Sequence, residues 1–256
     1  MRELIADGAE AIVLAGSHAR GEATDLSDID LYAIGTGPGY ALRLLDGRVF
    51  SISWRTEAEE REALRHPARV GTVVPGWRNA RILHDAAGIA AALQAEARAF
   101  DWSTIAAECD AWIASEVTGY TEEVLKLVAA RRTDDRQLAA VQRSTLALRL
   151  PPVMAVHHRL LYDSENRLWA MVAETIGAGW SAAHRTALGL GEPGAADAAA
   201  LTLYTLVAEE VDQLLSADQR AVVRVALRAA EDPPDPYAPM KDLAWRDVAE
   251  IDARLE

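Results

Sequence analysis

A single cysteine, Cys109, stands in a chain of 256 residues. One thiol cannot form an internal disulfide, which excludes a disulfide-stapled scaffold and fits a reducing cytoplasm. Cys109 itself reads as a small buried apolar residue. Positive charge is also scarce: 26 Lys and Arg face 39 Asp and Glu, a formal net charge of -13. That balance counts against a protein whose main work is gripping nucleic acid, because neutralising phosphates takes an excess of basic side chains. It suits a neutral or cationic partner better. No window offers the roughly 20 uncharged apolar residues that a membrane-spanning helix needs. The start, Met1 to Ala6, carries Arg2 and Glu3 and runs into Asp7 without an apolar stretch, so no signal peptide is expected. Aromatic residues make up only 6%, although seven of them are Trp. The expectation from these shortages is a soluble, cytoplasmic protein that binds neither membrane nor nucleic acid.

Half of the residues are hydrophobic and a quarter charged, enough apolar material for a sizeable core. The first third alternates short strand-like runs with turn signals. Residues 11–15 form an apolar run that stops at Gly16, and residues 29–34 form another that stops at Gly35. Residues 40–45 read as a strand or a turn of helix, and Asp46-Gly47 is a hairpin signal. Residues 48–54 alternate, with Val49, Ser51 and Ser53 on one face and Phe50, Ile52 and Trp54 on the other, as in a half-buried strand. Thr56 followed by Glu57 and Glu59 marks a helix start, and residues 80–84 read as one more strand ending at Asp85. Beyond Gly88, Ala-rich segments at helical spacing take over: 89–100, 103–130, 135–150, 152–162, 168–176, 195–215 and 217–230. A Pro-rich irregular tail, 231–239, and a short last helix, 241–255, complete the reading. The expected class is α+β: a small mixed-sheet domain over 1–98 followed by an all-α helical bundle over 99–256.

The stretch that carries chemistry runs from Gly16-Ser17-His18-Ala19-Arg20-Gly21 to Ser27-Asp28-Ile29-Asp30-Leu31. A glycine and a hydroxyl where a strand turns into a helix make a phosphate cradle, since free backbone N–H groups and the helix dipole both favour an anion. Arg20 can add a forked cationic contact to the same phosphates. Asp28 and Asp30, two residues apart on a strand, point to one face. Paired carboxylates repel one another unless a cation lies between them, and a hard ion such as Mg²⁺ takes oxygen ligands while leaving room for substrate phosphates. Ile29 and Leu31 face the other way, into the core. Either half of this pattern alone is weak; strand, glycine turn and acidic strand together are strong.

These residues resemble the signature of the DNA polymerase β-like nucleotidyltransferase superfamily, in the style of its aminoglycoside (kanamycin-type) antibiotic branch. The strict motif covers residues 11–34, with a looser likeness to about residue 95. The resemblance implies that Gly16 and Ser17 hold the triphosphate, with Arg20 and Ser27 among the nucleotide contacts, and that Asp28 and Asp30 bind Mg²⁺ and serve catalysis. It also implies an ATP or other nucleoside triphosphate substrate and a small-molecule acceptor, with antibiotic resistance as the associated role and a homodimer as the candidate assembly. Residues 121–126 place Glu122 and Lys126 four apart on one helix face, which read by itself is a surface ion pair. In the kanamycin-type enzymes a Glu in such a helix is the general base and the following Lys contacts the nucleotide, which implies those roles for Glu122 and Lys126.

The sequence departs from the family where a third carboxylate is expected on the next strand, because that place falls on Ser51. Either one metal is held by Asp28 and Asp30 alone, or a carboxylate such as Asp46, Asp85 or a helical Glu fills the gap, or catalysis is lost. The last alternative makes the chain a nucleotide-binding regulatory or antitoxin-like protein. His157-His158 has no acid or cysteine at metal-ligand spacing along the chain and reads as structural. Trp77, Trp102, Trp112 and Trp180 are candidates for an acceptor pocket, with core packing as the commoner use of Trp.

Overall fold

The computed structural model describes residues 1–192 and 194–231, so the expected tail from 232 onward and the helix expected over 241–255 lie outside the described residues. A short helix α1 (Arg2–Ala6) leads into strand β1 (Ala9–Leu14), a one-turn helix α2 (Gly16–Arg20) and strand β2 (Ile29–Gly35). The segment left open between helix and strand is a strand, β3 (Tyr40–Leu45), joined through the Asp46-Gly47 turn to β4 (Arg48–Arg55) as an antiparallel hairpin. Helix α3 (Glu57–Ala63) starts on Thr56, whose hydroxyl accepts from Glu59 N–H while the Glu59 carboxylate takes the Thr56 N–H, a reciprocal cap. Helix α4 (Pro67–Asn79), strand β5 (Arg81–Asp85) and helix α5 (Ile89–Ala99) complete the first part.

The five strands lie in the order β3-β4-β2-β1-β5, parallel between β2 and β4 and antiparallel elsewhere. One face of this sheet is closed by a small cluster of Leu4, Ala9, Ile12, Leu31, Ala33, Ile52 and Trp54. The opposite face contributes Ala11, Val13 and Ile34 to a second core that runs through α4 and α5 and on into the helices beyond. The α+β class is as expected, with the sheet first and helices after it.

After a 3-10 turn at Trp102–Ile105 come α6 (Ala106–Gly119), α7 (Thr121–Arg132), α8 (Arg136–His157), α9 (Glu165–Ile176), α10 (Ala178–Ala187), α11 (Ala196–Glu210) and α12 (Ala217–Glu231). Two expectations differ here. The helix expected over 103–130 is broken after Gly119, a residue with little helix propensity. The Thr121 side chain beyond the break is buried against the Tyr204 hydroxyl, 2.9 Å away. Conversely, the two helices expected on either side of Pro151 are one, since α8 runs through Pro151 and Pro152.

A proline inside a helix leaves the carbonyl four residues earlier without its donor. For Pro151 that carbonyl is Ala147, and the buried His184 ring of α10 supplies the donor through Nε2 at 3.0 Å. The same substitution occurs in α4. Pro75 frees the Gly71 carbonyl, and Tyr162 N–H takes it at 2.8 Å. Gly71 has no side chain to obstruct this contact: a Cβ there would stand 2.6 Å from the Tyr162 ring. Neither α4 nor α10 was anticipated.

Candidate active site

At the end of β1 the chain turns through Ala15 into Gly16, whose φ of +62° lies in the left-handed region open to glycine. Ala15 N–H donates to the Asp30 carbonyl at 2.9 Å, which fixes the turn to β2. The Asp30 carboxylate lies directly over Gly16. A Cβ at that position would overlap Asp30 Oδ2 and stand 2.8 Å from its Cγ. The first N–H groups of α2 have no intrahelical acceptors, so Gly16, Ser17 and Asp30 meet at one point.

Asp30, Tyr32 and Ile34 occupy the face of β2 turned toward the helices, while Leu31 and Ala33 face the smaller core. Desolvation pushes the Asp30 carboxyl above the ordinary carboxylate range, and the negative charge of Asp28 pushes it the same way. The Ser51 hydroxyl, then Arg20 and His18, act in the opposite direction. Among the described residues, neither Asp28 nor Asp30 belongs to an ion pair with a Lys or Arg. A half-buried pair of carboxylates that repel each other is a donor set for a hard divalent cation, so the residues present fit the Mg²⁺ that the sequence implies. One step further along β2, Tyr32 is packed near Trp77 and its phenol is pushed up to about 12, mainly by burial.

Ser51 is directly opposite Asp30 in the parallel register of β2 and β4. Its hydroxyl lies 3.4 Å from the Tyr40 hydroxyl on the edge strand. Of the alternatives, Asp85 accepts from Ala90 N–H and Ala91 N–H and so caps α5; it pairs with Ala11, away from the end of β1 that carries the turn. Asp46 sits in the exposed β3–β4 turn.

Arg20 is committed elsewhere. Its Nε meets Glu22 at 2.9 Å and its Nη1 donates to the Asp163 carbonyl at 3.0 Å, while Arg167 joins Glu22 at 2.6 Å and Asp163 at 3.0 Å. This four-residue network ties the turn of the α/β part to the loop between α8 and α9. Ser27 serves its own loop: its hydroxyl accepts from Thr24 N–H at 2.9 Å. Glu122 and Lys126 face solvent on α7, 3.1 Å from each other, and no hydrogen bond or ion pair among the described residues ties either one to β2. The structure thus brings together Gly16, Ser17, Asp28 and Asp30. It places Arg20 and Ser27 beside them with partners of their own, and leaves Glu122 and Lys126 on a surface pair.

The structure adds two features. His18 is turned inward, close enough to Asp30 to favour its anion, and its buried Nε2 makes no hydrogen bond among the described residues. A cavity of about 550 Å³ opens between α4, α6, α8 and α9, lined among others by Trp112, Glu116, Tyr120, Arg149, Tyr162 and Trp169. Tyr162 in its wall precedes Asp163, whose carbonyl accepts from Arg20. Trp112 was named as a candidate; Trp77 and Trp180 are fully buried core, and Trp102 stacks edge-on with Phe100 and under Arg159. Trp169 sits on an amphipathic helix with nothing in its neighbourhood to distinguish it from a packing residue.

No family model matches the chain, and no curated protein matches it. Among solved structures, it is similar to a nucleotidyltransferase-like protein from Exiguobacterium sibiricum 255-15. The identity is 12%, the match covers 99% of this chain and 84% of that one, and the TM-score is 0.47.

Proposed function

We propose that this chain is a metal-dependent nucleotidyltransferase that moves a nucleoside monophosphate from ATP or another triphosphate to a hydroxyl of a small molecule. The observation that carries the reading is the seating of the Asp30 carboxylate over Gly16, beside Asp28 and with no ion pair to a Lys or Arg among the described residues. Asp28 and Asp30 would hold Mg²⁺, which when bound offsets the charge of the triphosphate and of the departing pyrophosphate. The Gly16 and Ser17 N–H groups and the Ser17 hydroxyl would hold a phosphate against that pair. Arg20, occupied by Glu22 and Asp163, acts here as a positioning residue that locks the turn to the α8–α9 loop. Most of the rate in such a site comes from alignment and charge neutralisation.

The cavity between α4, α6, α8 and α9 is the proposed acceptor site. Aromatic faces, with Glu116 and Glu165 outnumbering Arg149 in the lining, suit an amine-bearing acceptor, such as an aminoglycoside-like antibiotic. Glu122 remains the proposed base on the family resemblance alone. Full turnover in Glu122→Gln removes it from that role, and lost turnover at unchanged nucleotide affinity keeps it.

Calorimetric titration of ATP with and without Mg²⁺, on wild type and on Asp28→Asn/Asp30→Asn, tests the site. The expected result is metal-dependent binding that the double variant loses. Its absence in wild type would sink the reading. Pyrophosphate release across a panel of aminoglycosides and lincosamides then tests transfer. Ser51, in the register of the third carboxylate, favours a second reading: a nucleotide-binding regulatory protein, marked by Mg·ATP binding with no pyrophosphate release for any acceptor.

A further inference from the structure

The fold supplies His157-His158 with the acid that the linear sequence does not. α8 ends at His157 and His158 follows as its cap, while Glu210 closes α11. The ligand atoms of the three lie within 4.8 Å of one another. Glu210 Oε1 is 2.8 Å from His158 Nε2 and 3.8 Å from His157 Nε2. In a tetrahedral zinc site with bonds of about 2.0–2.1 Å, neighbouring ligand atoms stand about 3.3 Å apart, so the two separations straddle the required edge. The 2.8 Å contact is not a hydrogen bond. His158 Nε2 is buried and has no hydrogen-bond partner among the described residues. The two rings meet edge to face with centroids 5.1 Å apart.

We propose that His157, His158 and Glu210 form a binding site for a divalent transition metal, zinc being the ion tested first. Two imidazoles and one carboxylate are the donor set of three-ligand zinc sites, and a water completes the fourth position. Asp110 of α6 and Arg159, also close to His157, pair with each other at 2.6 Å. All three ligand side chains retain partial exposure, so an ion can enter from solvent. A bound ion would clip the end of α8 to the end of α11. Nothing in this assignment depends on chemistry at Asp28 and Asp30.

The test is titration of the full chain with zinc chloride by calorimetry, in a background carrying Asp28→Asn/Asp30→Asn so that those carboxylates do not contribute. Cobalt(II) absorption serves as an independent reading of coordination. The expected result is one ion per chain and a visible cobalt band at wild-type His157, His158 and Glu210. Glu210→Gln, which keeps shape and removes charge, should weaken zinc at least about tenfold, as should His158→Asn, with circular dichroism confirming that each variant is folded. Absent zinc binding, or binding that both folded variants retain at wild-type strength, overturns the assignment.

Discussion

Gly16→Ala separates the role of the turn from the general cost of replacing a glycine. At φ +62° an L-residue costs about 1–2 kcal/mol. The new Cβ also overlaps the Asp30 carboxylate, and driving that side chain off its rotamer adds about 0.5–1.5 kcal/mol. A total near 2.5 kcal/mol corresponds to a fall in melting temperature of roughly 5–10 °C for a chain of this length. Gly21 provides the control: its φ is +75° and an added Cβ meets nothing within 4 Å, so Gly21→Ala carries only the backbone cost. Calorimetric unfolding and Mg·ATP titration of both variants should therefore diverge. Gly16→Ala should weaken Mg·ATP binding by at least about tenfold, or about 1.4 kcal/mol, because Asp30 has moved. Gly21→Ala should bind as wild type does. Equal losses in the two variants, in stability or in binding, would refute the placement of Asp30 over the turn.

Trp77 donates through Nε1 to the buried Glu60 carboxylate at 2.7 Å, where Arg55 also lies 3.2 Å away. Trp77→Phe should cost about 1.5–3 kcal/mol of unfolding free energy for the lost bond to a charged acceptor, read by urea titration; a loss below half of that range rejects the bond as a contributor. His184 is held below its ordinary 6.5 by burial, so the folded state resists the proton that the unfolded chain accepts. Its contribution is complete above pH 6.5 and is lost as pH falls through the lower folded value. The melting temperature should drop between pH 7 and pH 5, and His184→Gln should flatten that drop. Ser51→Asp adds a third acid opposite Asp30. It should lower the metal-free melting temperature through like-charge repulsion and enlarge the stabilisation by Mg²⁺; a variant indifferent to Mg²⁺ contradicts the metal reading.

The sheet and its acids were legible because each rests on a local rule. Period-two alternation places Ser51 and Ser53 on one face of β4, glycines stop β1 and β2, and Thr56 with Glu59 caps α3. That alternation put Ser51 on its strand, and only the fold shows it opposite Asp30. What the sequence concealed depends on partners distant along the chain. Arg20 looks like a free cation until the fold brings Asp163 and Arg167 to it. Glu210 lies more than fifty residues from His157, beyond any spacing rule for metal ligands. Helix α4 was missed because Pro75 and two glycines argue against a helix, and α8 was divided in two for the same reason at Pro151. In both, distant groups repair the damage that the proline does, and no local signal announces them.

Those repaired carbonyls have a consequence for how the helices find their alignment. Two helices packed through Ala, Val and Leu can slide past each other by a turn and bury nearly the same apolar area, so greasy contact alone sets axial position weakly. A single unsatisfied carbonyl on an otherwise saturated rod is different, because it offers one acceptor at one height. The Gly71 carbonyl admits Tyr162 N–H, and the Ala147 carbonyl admits the His184 ring; a shift by one residue in either place strands a buried polar group at a cost of about 1–3 kcal/mol. Pro75 and Pro151 thus act as index marks. One sets the height of the α8–α9 loop against the sheet domain, and the other sets α10 against α8. Through Asp163, next to Tyr162, the first of these marks also decides where the partner of Arg20 stands.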